Sequence, residues 1–475
     1  MGLAGRIKTL LGDERVQQLH GITERALEQH LSLAVTGLSR SGKTVFITAL
    51  TQHLLHADQD QSLPLFTAAA EGRILSCRNL SAETDTPFPF QDNMTTLSTH
   101  PPAWPKSTRS LSSIKLAIRY RRPAGLKRFL GEFGTLYLDI IDYPGEWLLD
   151  LPLLQCDYAQ WCREQQQLFS QSPRRDIIES WYKQQQHIDW LAPASAHQLD
   201  QLALEFRQRL QQLREPPHAL SLLQPGRLLL EQAESPDPSL LLFPVLTEQA
   251  FAEDIPEDSA LAEMKRRYQT YCAHWIKPFY KRHFCQFDRQ LVLTDCLQTL
   301  NQGEACFNDM QRALNAILQN FDYGRAGWLR RLIKPRIERV LFAATKADHV
   351  TANQHPNLDR FLDLIIQDAR REIRFEEVDT RCMALASIRS TEAAQAKLDG
   401  QVLSCLRGHR KESNEEVALF PGEIPVELPQ PEDWNESRFR FIDFAPRALP
   451  RSGLKPEHHI RLDQALEYLT GDLFR

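Results

Sequence analysis

The stretch GLSRSGKT, residues 37–44, follows an apolar run and precedes a segment with helical periodicity. Its spacing is the GxxxxGK[ST] pattern, in which Gly37 and Gly42 take backbone angles that a Cβ would hinder. Consecutive backbone N–H groups then curl around an anion at a helix N-terminus, whose dipole favours negative charge. The stretch therefore predicts a strand at 31–36, a phosphate-binding loop and a helix.

The phosphate loop assigns roles to its side chains. Lys43 is expected to reach the β and γ phosphates of a nucleotide, and Thr44 to place its hydroxyl on Mg²⁺. The predicted nucleotide-binding residues at this end are Ser39, Arg40, Ser41, Gly42, Lys43, Thr44 and Val45.

A second motif lies in LYLDIIDYPGE, residues 136–146. Asp142 ends a predicted strand, where a carboxylate can hold a water molecule on the metal ion. Gly145 follows three residues later, and its backbone N–H is placed to meet a γ-phosphate and so to sense hydrolysis. The motif therefore predicts Asp142 as a metal-site residue and Gly145 as a nucleotide-binding residue.

The segment AATKADHV, residues 343–350, indicates which base is bound. A carboxylate at Asp348 accepts from both N1–H and the exocyclic amine of guanine, whereas adenine offers no such pair of donors. Lys346 is expected to lay its aliphatic stem along the purine. The first position of this tetrapeptide is Thr345, where the commonest form of the motif has asparagine. The sequence therefore does not decide whether one hydrogen bond to the base or to the loop is formed. In ALASIRS, residues 384–390, the backbone of Ser387 and Ile388 is predicted to close over the base.

These motifs occur in the order found in the G domain of small GTPases. Together with FDRQLVLTD (287–295) and RVLFAATKADHV (339–350), they make the whole chain resemble the YcjX-like P-loop GTPase family of stress-associated bacterial proteins. The alternation of strands and helices indicates an α/β fold with a doubly wound, mostly parallel sheet, interrupted by a large helical insertion and followed by a small C-terminal β excursion. The resemblance implies that this fold is a P-loop G domain elaborated by the insertion. It also implies binding of GTP, GDP and Mg²⁺, with hydrolysis driving a switch.

The resemblance implies two catalytic candidates. Thr108 is our choice for the switch threonine that adds a metal ligand, with Ser107, Ser110 and Ser112 as alternatives. Arg40, inside the phosphate loop, could turn onto the γ-phosphate, where such an arginine accelerates hydrolysis by about 10³ to 10⁵. The alternative is that Arg40 faces solvent or pairs with an acidic residue of the insertion.

Glu146 occupies the position at which related GTPases carry a water-orienting glutamine. A carboxylate there would repel the γ-phosphate, so we interpret Glu146 as a switch residue and expect slow hydrolysis without a partner. The leading functional prediction is a Mg²⁺-dependent, GTP-hydrolysing molecular switch. One alternative is a nucleotide-stabilised scaffold or membrane-peripheral adaptor with negligible turnover. The other, which TKAD argues against, is an ATPase or a small-molecule P-loop kinase.

Changes in composition and periodicity divide the chain. Residues 57–112 read as a long polar loop, and 114–122 with 135–142 as a β-hairpin. Later strands are predicted at 289–295, 339–345 and 382–387, and short β runs at 400–406, 416–422 and 438–444. The predicted units are a helical lead-in (1–30), the first part of the G domain (31–149), a helical insertion (150–285), the second part (286–390), a small β excursion (391–455) and a closing helix (456–475).

Composition limits the partners and the compartment. The net charge of −5 excludes a generally basic nucleic-acid binder, and the nine cysteines show no metal-site or disulfide pattern. No signal peptide or run of about 18 apolar residues is present, so we expect a soluble, cytoplasmic protein. The basic stretch 328–339 leaves peripheral contact with the inner membrane open. A protein effector and a nucleotide-dependent dimer also remain open.

Overall fold

A computed structural model describes residues 28–38, 40–81, 84–106, 110–123, 131–193, 195–233, 236–319, 337–367, 370–371, 378–398, 401–435 and 438–475. The strands are β1 (Gln29–Gly37), β2 (Ile74–Asn79), β3 (Ser112–Arg121), β4 (Phe133–Asp142), β5 (Arg289–Thr294), β6 (Arg339–Ala344), β7 (Asp379–Ala384), β8 (Glu392–Leu398), β9 (Gln401–His409) and β10 (Glu416–Leu419).

Seven of these strands form one sheet in the order β2-β3-β4-β1-β5-β6-β7. Strands β4, β1, β5, β6 and β7 run parallel, whereas β2, β3 and β4 are joined by antiparallel pairing. Strand β5 is buried along its whole length, as expected for a parallel strand with both faces covered. The predicted mostly parallel α/β sheet and its hairpin are therefore confirmed.

The α-helices are α1 (Lys43–Leu55), α2 (Thr67–Ala70), α3 (Phe90–Ser98), α4 (Glu146–Leu149), α5 (Tyr158–Phe169), α6 (Arg174–Gln186), α7 (Ala196–Arg214), α8 (Gly226–Leu230), α9 (Ala260–Tyr271), α10 (Lys277–Arg282), α11 (Cys296–Gln302), α12 (Glu304–Gln319), α13 (His355–Ile365), α14 (Pro431–Asn435) and α15 (Leu462–Thr470). Within the described residues between β4 and β5, the regular structure is entirely helical. In the described part of the chain, no helix is long and apolar enough to cross a membrane.

The hydrophobic core has two parts, one on each face of the sheet. One part joins insertion residues such as Trp161 and Trp181 to sheet residues such as Val292 and Phe342. The other joins helices α1 and α15 to the opposite face. The insertion therefore shares a core with the sheet, so a movement of one is resisted by the packing of the other.

The prediction of a polar loop over 57–112 is wrong. This segment contains α2, β2 and α3, and β2 extends the sheet by pairing with β3. The sequence of β2, ILSCRN, is short and lacks clear alternation, so its strand conformation depends on the neighbouring strand rather than on local preference. Strand β1 also begins at Gln29, two residues before the predicted start, and residues 1–27 of the predicted lead-in lie outside the described residues.

The C-terminal excursion contains a three-stranded sheet in the order β10-β9-β8. Two of the three predicted β runs form strands, but RFRFIDF (438–444) is irregular apart from one bridge between Arg410 and Phe444. Its alternating Phe439 and Phe441 are buried in the core beside the insertion, which explains a strand-like pattern without a strand. The α-helix that closes the chain covers only Leu462–Thr470.

Candidate functional site

The loop between β1 and α1 forms a tight turn. Arg40 and Gly42 both have positive φ, 63° and 85°, and Ser41 N donates to the Leu38 carbonyl at 3.1 Å. A Cβ on Gly37 would lie 2.3 Å from Ser41 Oγ and 2.4 Å from a backbone oxygen of β5. These backbone angles and the absence of side-chain bulk produce the predicted phosphate loop, although Ser39 lies outside the described residues.

Lys43 and Thr44 begin helix α1 at the mouth of this loop. Lys43 is buried, and its Nζ lies 3.5 Å from the Gly37 carbonyl oxygen, so the ammonium reaches back across the loop. Thr44 Oγ1 donates to the Lys106 carbonyl at 3.3 Å. The segment that leads to Thr108 therefore passes directly over Thr44, whereas Thr108 itself lies outside the described residues.

The end of β4 lies beside the phosphate loop. Asp142 is buried and is the register partner of Val35 on β1. A Cβ added to Gly145 would stand 2.4 Å from the Gly37 carbonyl oxygen. Gly145 therefore lies against the first residue of the loop, while the metal role of Asp142 and the γ-phosphate role of Gly145 stay predictions.

Gly145→Ala tests this close approach. Gly145 has φ −62°, so an alanine suits the backbone, and the damage arises only from the contact with Gly37. We expect a destabilisation of about 1–3 kcal/mol and a loss of nucleotide affinity of about 10-fold, because the loop itself must shift. Calorimetry and thermal unfolding measure the two effects.

Gly134→Ala is the matched control. Its Cβ would stand 2.7 Å from the Tyr120 ring at the opposite end of β4, about 26 Å from Asp142 at strand spacing. This control should lower stability and leave nucleotide affinity unchanged. Equal affinity losses in both variants would contradict a specific role for Gly145.

The other end of the site is built from the loops after β6 and β7. Thr345 Oγ1 donates to the Thr294 carbonyl at 3.1 Å, so this threonine tethers the loop to β5. Asp348 Oδ2 accepts from Ser390 N at 2.6 Å, and Asp348 is buried. The two loops are thereby joined through the carboxylate that was predicted to recognise guanine.

One cavity of about 330 Å³ connects the two ends, within the usual range for small-molecule sites. Eleven predicted residues line it, namely Arg40, Ser41, Gly42, Lys43, Thr44, Val45, Thr345, Lys346, Asp348, Ser387 and Ile388. Asp142 and Gly145 are not part of this lining. The lining residues that were not predicted are Trp104, Pro105, Lys106, Gln298, His349, Ala386, Ser390, Lys411 and Asp443.

The helical insertion makes ion pairs with two residues of the site. Arg40, on the phosphate loop, pairs with Glu215, which directly follows helix α7. The neighbouring Arg214 lies 3.0 Å from the carboxylate of Glu146, and both of these side chains are largely buried. Adjacent residues of the insertion therefore hold the loop arginine and the residue that follows Gly145. Arg40 adopts the acidic pairing that its sequence left as the alternative.

The insertion also surrounds the residues just after Glu146. Asp150 accepts from Gly226 N at 2.9 and 3.0 Å and from Tyr271 Oη at 2.6 Å. Burial raises the pKa of Asp150 to about 6, although these hydrogen bonds oppose the rise. The Arg227 guanidinium lies 3.7 Å from the centre of the Trp147 ring. We call this set of insertion residues the insertion clasp: Arg214, Glu215, Gly226, Arg227 and Tyr271.

The fold and the loop at its centre define a P-loop nucleotide-binding protein of the α/β class. The model of the YcjX-like family, DUF463, matches residues 31–474, and the chain belongs to this family. It is 39% identical over 464 residues to the Ras-like GTPase YcjX of Escherichia coli K12, covering 96% of this chain and 99% of the relative. It is 38% identical over 472 residues to the Ras-like GTPase YcjX of Shewanella oneidensis MR-1, covering 96% and 97%.

Proposed function

We propose that this protein is a Mg²⁺-dependent molecular switch that binds and hydrolyses GTP. The observation that carries the proposal is the convergence of the phosphate loop, residues 345–348 and residues 387–388 on one cavity. A lysine at one end suits phosphate, and a buried carboxylate at the other suits the two donors of guanine. The names of the two relatives agree with this assignment.

The residues beside the phosphate loop suit magnesium. The Thr44 hydroxyl and the Asp142 carboxylate are hard oxygen donors, which Mg²⁺ prefers, and Thr108 is the predicted third residue. Among the described residues, no group of three His, Cys, Asp or Glu side chains converges as a metal site. Mg²⁺ keeps several waters and takes further oxygens from phosphate, so it needs few protein ligands. Bound there, the ion would neutralise charge on the β and γ phosphates.

The insertion clasp supports readout of the nucleotide state through the insertion. Residues just after Gly145 are expected to respond to the γ-phosphate. In this protein they are enclosed by insertion side chains, and a Cβ on Gly226 would stand 2.5 Å from the Glu146 carbonyl oxygen. A shift of Glu146 must therefore either move the insertion or break the clasp.

The same contacts favour a second candidate function, a nucleotide-stabilised scaffold or membrane-peripheral adaptor with negligible turnover. Arg40 is the predicted catalytic arginine, and Glu146 occupies the position of the water-orienting glutamine. Both side chains form ion pairs with residues of the insertion. An ATPase remains the least favoured alternative, because adenine offers the two acceptor oxygens of Asp348 no matching pair of donors. Cytoplasmic location, a protein effector and a nucleotide-dependent dimer stay predictions.

Calorimetric titration of the full chain with GTP, GDP and ATP in the presence of Mg²⁺ tests the binding proposal. Phosphate release under single-turnover conditions then separates a GTPase from a scaffold. Hydrogen exchange of α7 and α8, compared between GDP and a non-hydrolysable GTP analogue, tests readout through the insertion. Absence of heat with both guanine nucleotides would refute the proposal.

Glu215→Gln tests whether Arg40 acts in hydrolysis. The pair is partly exposed, so its loss costs little stability, about 1 kcal/mol or less. If the pair holds Arg40 away from the phosphate, the variant should raise single-turnover phosphate release about 3- to 10-fold.

The control for this test is Glu179→Gln, which breaks an exposed pair with Lys183 elsewhere on the insertion and should leave the rate unchanged. The gain should vanish in an Arg40→Ala background. A rate that is insensitive to Glu215 would mean that the pair does not restrain Arg40, and equal rates in the wild type and the Arg40→Ala variant would remove the catalytic role of Arg40.

A further inference from the structure

Asp443 reaches the cavity from the irregular segment that links the small sheet to α15. The backbone is fixed on both sides of this residue. Asn301 exchanges two hydrogen bonds with Phe441, at 2.6 and 2.8 Å, and Ala445 N donates to the His409 carbonyl at 2.8 Å. Helix α11 of the G domain and strand β9 of the excursion therefore hold the backbone on the two sides of Asp443, which places its carboxylate in the cavity wall.

The Asp443 carboxylate lies between two lysines. Its Oδ1 is 2.8 Å from Lys346 Nζ, and its Oδ2 is 2.8 Å from Lys411 Nζ. On its other side, Lys346 Nζ lies 2.7 Å from Asp295. His349 Nδ1 is 3.8 Å from Asp443, and burial lowers the pKa of His349, which favours the neutral ring. The ammonium of Lys346 is thus anchored by two carboxylates.

These contacts fix the conformation of Lys346. Burial alone would lower the pKa of Lys346, but Asp295 and Asp443 outweigh burial and raise it above its ordinary value. The ammonium therefore remains charged and in place. A free lysine loses rotamer entropy when a ligand packs on its stem, whereas an anchored stem has already lost it on folding.

We propose that Asp443 is a positioning residue for base recognition, which anchors Lys346 so that its aliphatic stem forms a rigid surface for the purine of a guanine nucleotide. The inference rests on the proposed function and extends the nucleotide site to the C-terminal excursion. Asp443 acts on a lysine 97 positions away in the chain, through one direct contact.

Asp443→Asn is the primary test. The neutral amide no longer matches the ammonium, and we expect the dissociation constants of GDP and GTP to rise by about 10-fold, the scale of one hydrogen bond to a charged group. Both nucleotides should weaken by the same factor, because the contact lies at the base end. Arg407→Ala is the matched control, which breaks an exposed ion pair with Glu392 on the excursion, outside the cavity lining, and should change affinity by less than about 3-fold. Thermal unfolding without nucleotide reports folding separately.

A double-mutant cycle separates positioning from general stability. Adding Asp443→Asn to Lys346→Gln should cause no further loss of affinity, because the anchored lysine is already gone. This comparison also serves if the single Asp443→Asn variant does not fold. An additional loss beyond about 3-fold in the double variant, or unchanged affinity in the folded single variant, would overturn the inference. Wild-type protein that binds no guanine nucleotide would instead refute the proposed function.

Discussion

Lys43→Ala is expected to abolish binding of GTP and GDP, with a loss of affinity of about 10³-fold or more, because the buried ammonium is predicted to contact the most highly charged part of the nucleotide. Lys43 is 8% exposed, and its ammonium crosses the phosphate loop to within 3.5 Å of the Gly37 carbonyl. An alanine should leave the backbone curl intact but remove the charge that is expected to balance the β and γ phosphates.

Calorimetry with GDP and GTP in the presence of Mg²⁺ measures this loss. Lys183→Ala, which removes a solvent-exposed lysine of the insertion, should bind both nucleotides like the wild type. Unchanged affinity in Lys43→Ala would mean that the loop does not hold phosphate, and the assignment of the whole cavity would then be wrong.

The phosphate loop could be predicted from eight residues because its geometry is local. Gly37 and Gly42 are required by close contact and by positive φ, and the strand before them and the helix after them have distinct periodicities. The TKAD segment could be placed for a similar reason, since it directly follows a buried apolar strand. At such positions the local sequence determines the backbone conformation.

The parts that could not be predicted depend on partners distant in sequence. Asp443 belongs to RFRFIDF, whose alternation resembles a strand, and nothing local indicates that its carboxylate meets Lys346. The pairing of Glu215 with Arg40 likewise joins residues 175 positions apart. Strand β2 was missed because its pairing with β3, and not its composition, makes it a strand. Such contacts become visible only when the topology is known.

The insertion clasp shows how a local motif and a distant element combine. The sequence predicted that residues after Gly145 respond to nucleotide and that a helical insertion follows. The structure adds that Arg214 contacts Glu146 and Glu215 contacts Arg40, so neighbouring insertion residues contact both the phosphate loop and the residue after Gly145. A movement of Arg40 or of Glu146 would therefore alter a contact at the same end of α7.

Asp348→Asn is expected to lower affinity for GTP by about 10²-fold or more and to raise affinity for xanthosine triphosphate. The reason lies in the hydrogen bond from Ser390 N to Asp348 Oδ2. An asparagine keeps this bond only if its carbonyl oxygen takes the place of Oδ2, which leaves the NH₂ group toward the base. That donor opposes the N1–H of guanine but matches the O2 carbonyl of xanthine.

Competition between GTP, xanthosine triphosphate and ATP for a fluorescent nucleotide measures this change of preference. Asp443→Asn is the matched control, because it alters a second acidic residue of the same cavity. We expect this variant to weaken the binding of guanine and xanthine nucleotides equally. Ser390 contacts residue 348 through its backbone N–H, so the orientation of the asparagine side chain does not depend on the Ser390 hydroxyl. Ser390→Ala should therefore preserve the base preference of both the wild type and the Asp348→Asn variant. If Asp348→Asn keeps the wild-type order of preference, Asp348 does not read the base, and the recognition of guanine must lie elsewhere in the cavity.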